Sequence, residues 1–261
     1  MTMSNELYGI DVSKWQGDIE WDTLAQNKDL SFVIMRAASG TSMDSRFAEY
    51  VAECKRVGIP FGLYFASTAK NVNAAKKEAE LAIEVAKKHK PDYPIWYDVE
   101  LDSQRKLGKK AVTEIVLTWL DAVSAAGIRC GFYSNRDWLN NAFDYAKLKG
   151  YPLWYAAYPS MAEKKLTEAT KNNRSKLSYP EAVIWQWSSS GKVPGIVAPV
   201  DLNVCYEDLL DKGKADSSEI EVAAAKEIIA KKAGLSEATI TYLDSYKYGD
   251  ALLKKLAKAM L

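Results

Sequence analysis

From Leu7 to Asn203 the chain repeats one pattern: a short β-branched and aromatic run, then a longer connecting segment. The runs are Leu7–Val12, Phe32–Ala37, Pro60–Ala66, Pro94–Glu100, Ile128–Ser134, Pro152–Ala157, Ala182–Trp187 and a short one at Val200–Asn203. Each is too short for a helix and rich in residues that suit a pleated, half-buried surface. Between them Arg46–Arg56, Asn73–Lys88 and Lys110–Ala126 have apolar residues at helical spacing. Gly58 and Gly127 follow the first and third, where a glycine ends a helix in a left-handed turn. A parallel neighbour can be reached only through a long crossover, so strands alternating with helices predict a mainly parallel sheet. About eight such strands close into a (β/α)8-type barrel of the α/β class. After Ser134 and again after Ala157 helical periodicity fades, and Lys171–Ser178 is polar, so an irregular barrel is expected.

The fourth run carries chemistry. Asp98 and Glu100 stand two apart at its end. On a strand that spacing puts two side chains on one face, with Cα atoms roughly 6.7 Å apart. Two carboxylates so close cannot both ionise comfortably, so one pKa rises while the other stays low. An acid and a negative stabiliser then arise from one chemical group, as glycoside hydrolysis requires. Asp11 and Asp201 fall at or near the ends of other runs, and barrel active sites gather at the C-terminal ends of strands. Four acids on one rim outweigh the alternative of a strand end with two solvated acids.

Composition narrows the remaining classes. The 261 residues are 48% hydrophobic and 26% charged, and the net charge is +1. Phosphate binding calls for a basic surplus, so no nucleic-acid partner is expected. Lys87, Lys88 and Lys90, and Lys106, Lys109 and Lys110, read as solvated helix faces. The only histidine, His89, sits in a polar stretch before Pro91, which leaves no base for a Ser-His-Asp or Cys-His system. With one histidine and no C-x-x-C pair, neither a zinc site nor a cofactor is expected. Cys54, Cys130 and Cys205 are too far apart in sequence to form a disulfide framework and read as buried reduced thiols. Asn5, Glu6, Asp11 and Lys14 leave no apolar leader, and no run approaches the length of a membrane span. Synthesis in a bacterial cytoplasm, without a signal peptide and with no membrane partner, is the expectation.

The motifs, in order, resemble the glycoside hydrolase family 25 muramidases, the Chalaropsis-type lysozymes common among phage endolysins. Tyr8–Gly17, with Asp11 and Gln16, is similar to the family's opening motif. Phe32–Ala37 with Arg36, Gly62–Phe65 with Tyr64, and Trp96–Glu100 resemble its next strands. Gly131–Asn135 with Tyr133, Leu153–Ala156 with Trp154, Ile184–Ser188 with Gln186 and Trp187, and Val200–Asn203 complete the set. The resemblance covers about residues 7–210. It implies cleavage of the β-1,4 bond between N-acetylmuramic acid and N-acetylglucosamine in bacterial peptidoglycan. It also implies Glu100 as general acid, Asp98 as stabiliser of positive charge or orienter of the N-acetyl group, and Asp11 and Asp201 as groups that hold and tune the pair.

Tyr64, Tyr133, Trp154 and Trp187 are candidates to pack on sugar faces, with barrel core as the alternative. Gln186 either contacts substrate or holds a carboxylate, and Arg36, in an apolar strand, needs an acidic partner, for which a rim acid is the candidate. A chitinase-like, substrate-assisted glycosidase is a second reading, weakened because Ile95, Trp96 and Tyr97 stand where a longer acidic series would be. A non-catalytic wall-binding barrel is a third, though all four acids are retained. The expected lack of a leader and the extra tail together favour an endolysin that reaches the wall after release over a bacterium's own autolysin, which would be exported.

The character changes near Lys212. Residues 1–211 read as the catalytic barrel, 212–219 as a linker and 220–261 as a helical module. Ser218–Glu221 is a candidate capping box, Gly234 closes that helix and Ser236 caps another. Leu252, Leu253, Leu256 and Met260 share one face of the last helix. So small a module buries little core alone, which suggests packing on the barrel, self-association or a wall ligand.

Overall fold

The computed structural model describes residues 6–171, 174–207, 209–210, 222–245, 253 and 256–257. The chain forms two compact units, Met1–Asp211 and Lys212–Leu261. In the first, the strands are β1 (Leu7–Val12), β2 (Leu30–Ser39), β3 (Ser42–Met43), β4 (Phe61–Ala66), β5 (Ile95–Asp98), β6 (Cys130–Asn135), β7 (Leu153–Ala156), β8 (Ile184–Gly191) and β9 (Val200–Cys205). Their order is β1-β9-β8-β7-β6-β5-β4-β2-β3, and β1 also pairs with β2. Eight strands therefore close into a barrel, with β3 a hairpin extension of β2.

Strands β1 to β8 of the closed ring run parallel, but β9 is antiparallel to both β8 and β1. The link from Gly191 to Val200 carries no helix, and without a crossover the chain can only turn back. This corrects the placement of Asp201. It lies at the start of β9, not at a C-terminal end, and reaches the common rim because β9 runs the other way, opposite Asp11 in register. Strand β5 also stops earlier than its sequence suggests: Glu100 lies beyond Asp98, the last residue of the ladder.

The helices are α1 (Trp21–Ala25), α2 (Phe47–Val57), α3 (Val72–His89), α4 (Asp102–Arg105), α5 (Lys109–Ala125), α6 (Arg136–Asn141) and α7 (Tyr145–Leu148). The three longest match the periodic segments, and Gly58 ends α2 at φ 77°, where its amide bonds the Cys54 carbonyl. Between β7 and β8 the described residues form the 3-10 turns Leu166–Lys171 and Arg174–Lys176 and no α-helix. Cys54, Cys130 and Cys205 are buried. Among the described residues no helix is long and apolar enough to cross a membrane.

Strand alternation sorts side chains into two layers. Val33, Met35, Leu63, Phe65, Tyr97, Phe132, Tyr155, Trp185 and Trp187 belong to the outer core shared with the helices. Phe32, Ile34, Tyr93, Trp96, Trp154, Ile184 and Cys205 fill the inside of the barrel. Glycines make room for that filling. A Cβ on Gly9 would stand 2.3 Å from the Phe32 ring, and one on Gly131 would stand 2.4 Å from Trp96 and 2.5 Å from the Pro152 carbonyl. Overpacking a filled interior costs about 1–3 kcal/mol, so Gly131→Ala should lower stability by that amount in a denaturant melt. An unchanged midpoint would show that the Trp96 layer is loosely filled.

The second unit has α8 (Val222–Ala233) and α9 (Glu237–Asp244), with Leu253, Leu256 and Ala257 also helical. Gly234 follows α8 at φ 65°, and the Ser236 side chain accepts from the Thr239 amide. Ala225, Ile229, Ile240, Leu253 and Ala257 form a small core of its own. The apolar face expected to seek a partner is thus partly used, since Leu253 is buried within the unit. The linker 212–219, the capping box Ser218–Glu221, and Leu252 and Met260 lie outside the described residues.

Candidate active site

Inward-facing positions one step above the aromatic filling are polar. Asp11, Tyr64, Asp98, Tyr133, Trp154, Gln186 and Asp201, with Glu100 beyond β5, line a pocket of about 80 Å3 open to solvent. Alternation explains the set, because Asp11 follows Gly9 inward, Tyr64 follows Gly62, Asp98 follows Trp96 and Gln186 follows Ile184.

Gln186 joins the two sides of this floor. Its Oε1 accepts from the hydroxyls of Tyr133 at 2.9 Å and Tyr158 at 2.6 Å, and its Nε2 donates to Asp11 Oδ2 at 2.8 Å. Asn203 Nδ2 donates to the same oxygen at 2.8 Å, while Asn203 Oδ1 accepts from Trp154 Nε1 at 2.8 Å. An indole N–H can only donate and a carboxylate only accept, so both amides have a single sensible orientation.

The four acids differ in their surroundings. Burial raises Asp11 to about 6, opposed by its bonds from Asn203, Gln186 and Asp201. Asp201 is raised to about 9 by burial and then by the Asp11 charge beside it. Asp11 and Asp201 are hydrogen-bonded to each other, and ionisation of either disfavours ionisation of the other, so the pair holds a proton above the usual carboxyl range. Asp98 is pushed well above the usual carboxyl range by burial, then by Glu100 and Asp11, and is pulled back by the Arg36 cation. Its Oδ1 has no hydrogen-bond partner among the described residues. Glu100 reaches solvent at the mouth of the pocket, yet partial burial of its carboxyl and then the Asp11 charge still raise it. Among the described residues no group of three or more His, Cys, Asp or Glu is placed to hold a metal ion.

Raised carboxyl pKa values carry a sign for stability. The folded state holds its proton more tightly than the unfolded chain, so this stability is complete below the unfolded value of about 4. It is lost as pH rises through the folded value, about 9 for Asp201. Relative to Asp201→Asn, the wild type should therefore lose thermal stability as pH rises across that interval. Parallel melting curves over the range would contradict a raised Asp201.

Two candidates fall outside the pocket. Trp187 is one residue past Gln186, so it faces the opposite side and is 2% exposed in the outer core. Arg36 does not pair with one of the four rim acids. Its Nε and guanidinium hold Asp44 Oδ2 at 2.7 and 2.6 Å, where Asp44 also accepts from the Lys14 and Arg46 amides. Three residues of the site escaped the sequence reading: Asn203, Tyr158 and Asp44. Only Asn203 had a usable signal, since it stands two residues from Asp201 on one strand.

A family model for glycosyl hydrolases family 25 matches residues 10–196, an interval that contains Asp11, Asp98, Glu100 and Gln186. The chain belongs to that family. It is a glycoside hydrolase of the lysozyme type. It is similar to the lysozyme of Lactococcus phage mv1, 31% identical over 59% of this chain and 80% of that protein. Among solved structures it resembles the catalytic domain of endolysin ply40 from Listeria monocytogenes bacteriophage P40, with 26% identity and a TM-score of 0.66 over 81% of this chain and 98% of that one. It also resembles the modular autolysin LytC of Streptococcus pneumoniae, in complex with a synthetic peptidoglycan ligand, with 26% identity, a TM-score of 0.66 and 79% of this chain matched. This chain spans about half of that autolysin, 48% of its length.

Proposed function

We propose that the barrel is an N-acetylmuramidase that hydrolyses the β-1,4 bond between N-acetylmuramic acid and N-acetylglucosamine in bacterial peptidoglycan, and that it serves a phage as an endolysin. One observation carries the reading: a solvent-reaching carboxyl with a raised pKa, Glu100, stands at the mouth of a pocket that holds buried acids. A carboxyl held above its ordinary range keeps its proton more readily and can donate it to a leaving oxygen. Glu100 protonates the glycosidic oxygen as the C1–O bond breaks, and later takes a proton from the attacking water. Asp98, buried beneath, stabilises positive charge at the sugar ring or orients the N-acetyl group through its unpartnered Oδ1. Asp11 holds a fixed negative charge between Gln186 and Asn203, and Asp201 tunes it by proton sharing.

Tyr64 and Tyr133 form the aromatic wall, and Trp154 packs edge-on against both at 6.1 and 5.0 Å between ring centres. The phage lysozyme and endolysin relatives support the wall substrate and the phage role. Residues 220–261 are proposed as a module that binds the wall or pairs two copies, which would raise effective concentration at a polymeric substrate. Purified peptidoglycan and chitin oligomers, digested in parallel, test the substrate. Release of reducing ends from peptidoglycan alone is the expected result, and turnover of chitin alone would overturn it. Deletion of residues 212–261 should leave cutting of soluble muropeptides intact and weaken lysis of whole cells. Unchanged cell lysis per folded molecule would make that unit structural.

A further inference from the structure

The chain leaves the sheet ladder at Asp98, two residues before Glu100, so something other than strand pairing must hold the acid in place. Behind β5 lies a polar cluster that the pocket does not use. Glu78 on α3 is 4% exposed, and its carboxylate accepts from Tyr97 Oη at 2.6 Å, Ser67 Oγ at 2.8 Å and the Thr68 amide at 3.0 Å. Gln104, fully buried beside it, donates through Nε2 to Ser67 Oγ at 3.0 Å and to the Ala69 carbonyl at 3.1 Å. Its Oε1 accepts from the amide of Leu101, the residue after Glu100, at 3.1 Å. The Ser67 amide in turn donates to the Asp98 carbonyl at 2.7 Å.

We infer that Gln104, Ser67 and Glu78 are positioning residues for Glu100. The segment from Asp98 to Leu101 is gripped at both ends. Ser67 takes the Asp98 carbonyl, Gln104 takes the Leu101 amide, and the two grips meet at the Ser67 hydroxyl, itself anchored on Glu78. Buried polar groups are costly to leave unpaired, so a network satisfied this fully has one low-energy arrangement and fixes the loop that bears the acid. Proton transfer is sensitive to such fixing: a displacement of about 1 Å can cost about 10²-fold in rate. The inference rests on the assignment of Glu100 as the general acid.

The test compares full-length Gln104→Leu, Ser67→Ala and Glu78→Gln with wild type and Glu100→Gln on soluble, uncrosslinked glycan strands. Gln104→Leu should lower kcat by about 10- to 10²-fold with KM within about twofold. Its pH–rate profile should also move, because Glu100 shifts relative to the Asp11 charge that raises it. Glu78→Gln, which can re-pair with both hydroxyls, should retain most of the rate. Ser67→Ala keeps the backbone grip and should fall between them, and it decides the matter if Gln104→Leu does not fold. A folded Gln104→Leu or Ser67→Ala with wild-type kcat and pH profile overturns the inference. Persistent activity in Glu100→Gln would instead refute the general-acid assignment, a separable failure.

Discussion

Glu100→Gln should lower the rate of wall hydrolysis by at least about 10²-fold and as much as about 10⁴-fold, the range typical of general acid–base catalysis. The amide keeps the shape of the side chain and its capacity to hydrogen-bond but has no proton to transfer. Glu100 reaches solvent and makes none of the buried bonds that hold the barrel, so the variant should melt with the wild type. Its charge also raises Asp98, so the variant should relieve repulsion at that buried neighbour. Turbidity clearing of purified walls measures the loss, and near-wild-type clearing would remove Glu100 from the chemistry.

Asp98→Asn should act in two directions at once. Activity should fall by a factor comparable to that of Glu100→Gln, because the group that answers positive charge at the sugar is lost. Stability should rise. The Asp98 carboxyl is buried, faces Glu100 and Asp11, and leaves one oxygen without a partner, an arrangement that favours neutrality at the expense of the folded state. An isosteric amide stays neutral at every pH, so the variant should melt higher than the wild type, and by more as pH rises and Asp98 is pressed to ionise. Calorimetry beside the activity assay checks both signs. A variant both inactive and less stable would mean that Asp98 holds the fold together rather than burdening it.

The closed barrel and the convergence of four acids were legible in the chain because strand alternation is a local property. Gly9 and Asp11, Trp96 and Asp98, and Ile184 and Gln186 each announce one inward face. The same rule, applied strictly, separates Gln186 from Trp187, since neighbours on a strand cannot both face the pocket. What the chain concealed depends on distant partners. The direction of β9 is set by the lack of a crossover helix after Gly191, which weak periodicity hinted at but did not decide. Arg36 pairs with Asp44 because the β2–β3 hairpin folds back, and nothing local to Arg36 indicates that turn. Tyr158 lies past the end of β7 and joins the site by donating to Gln186 Oε1, a contact no local pattern announces. The early end of β5 was equally hidden, and it is what makes the grip on the loop at Glu100 necessary.

The central claim is the bond cut, and the chemistry of the new chain ends reads it directly. Peptidoglycan digested by the full-length protein, reduced with borohydride and analysed by mass spectrometry, should carry N-acetylmuramitol at every newly formed end. New ends of N-acetylglucosaminitol, or intact glycan strands with severed peptides, would contradict the account.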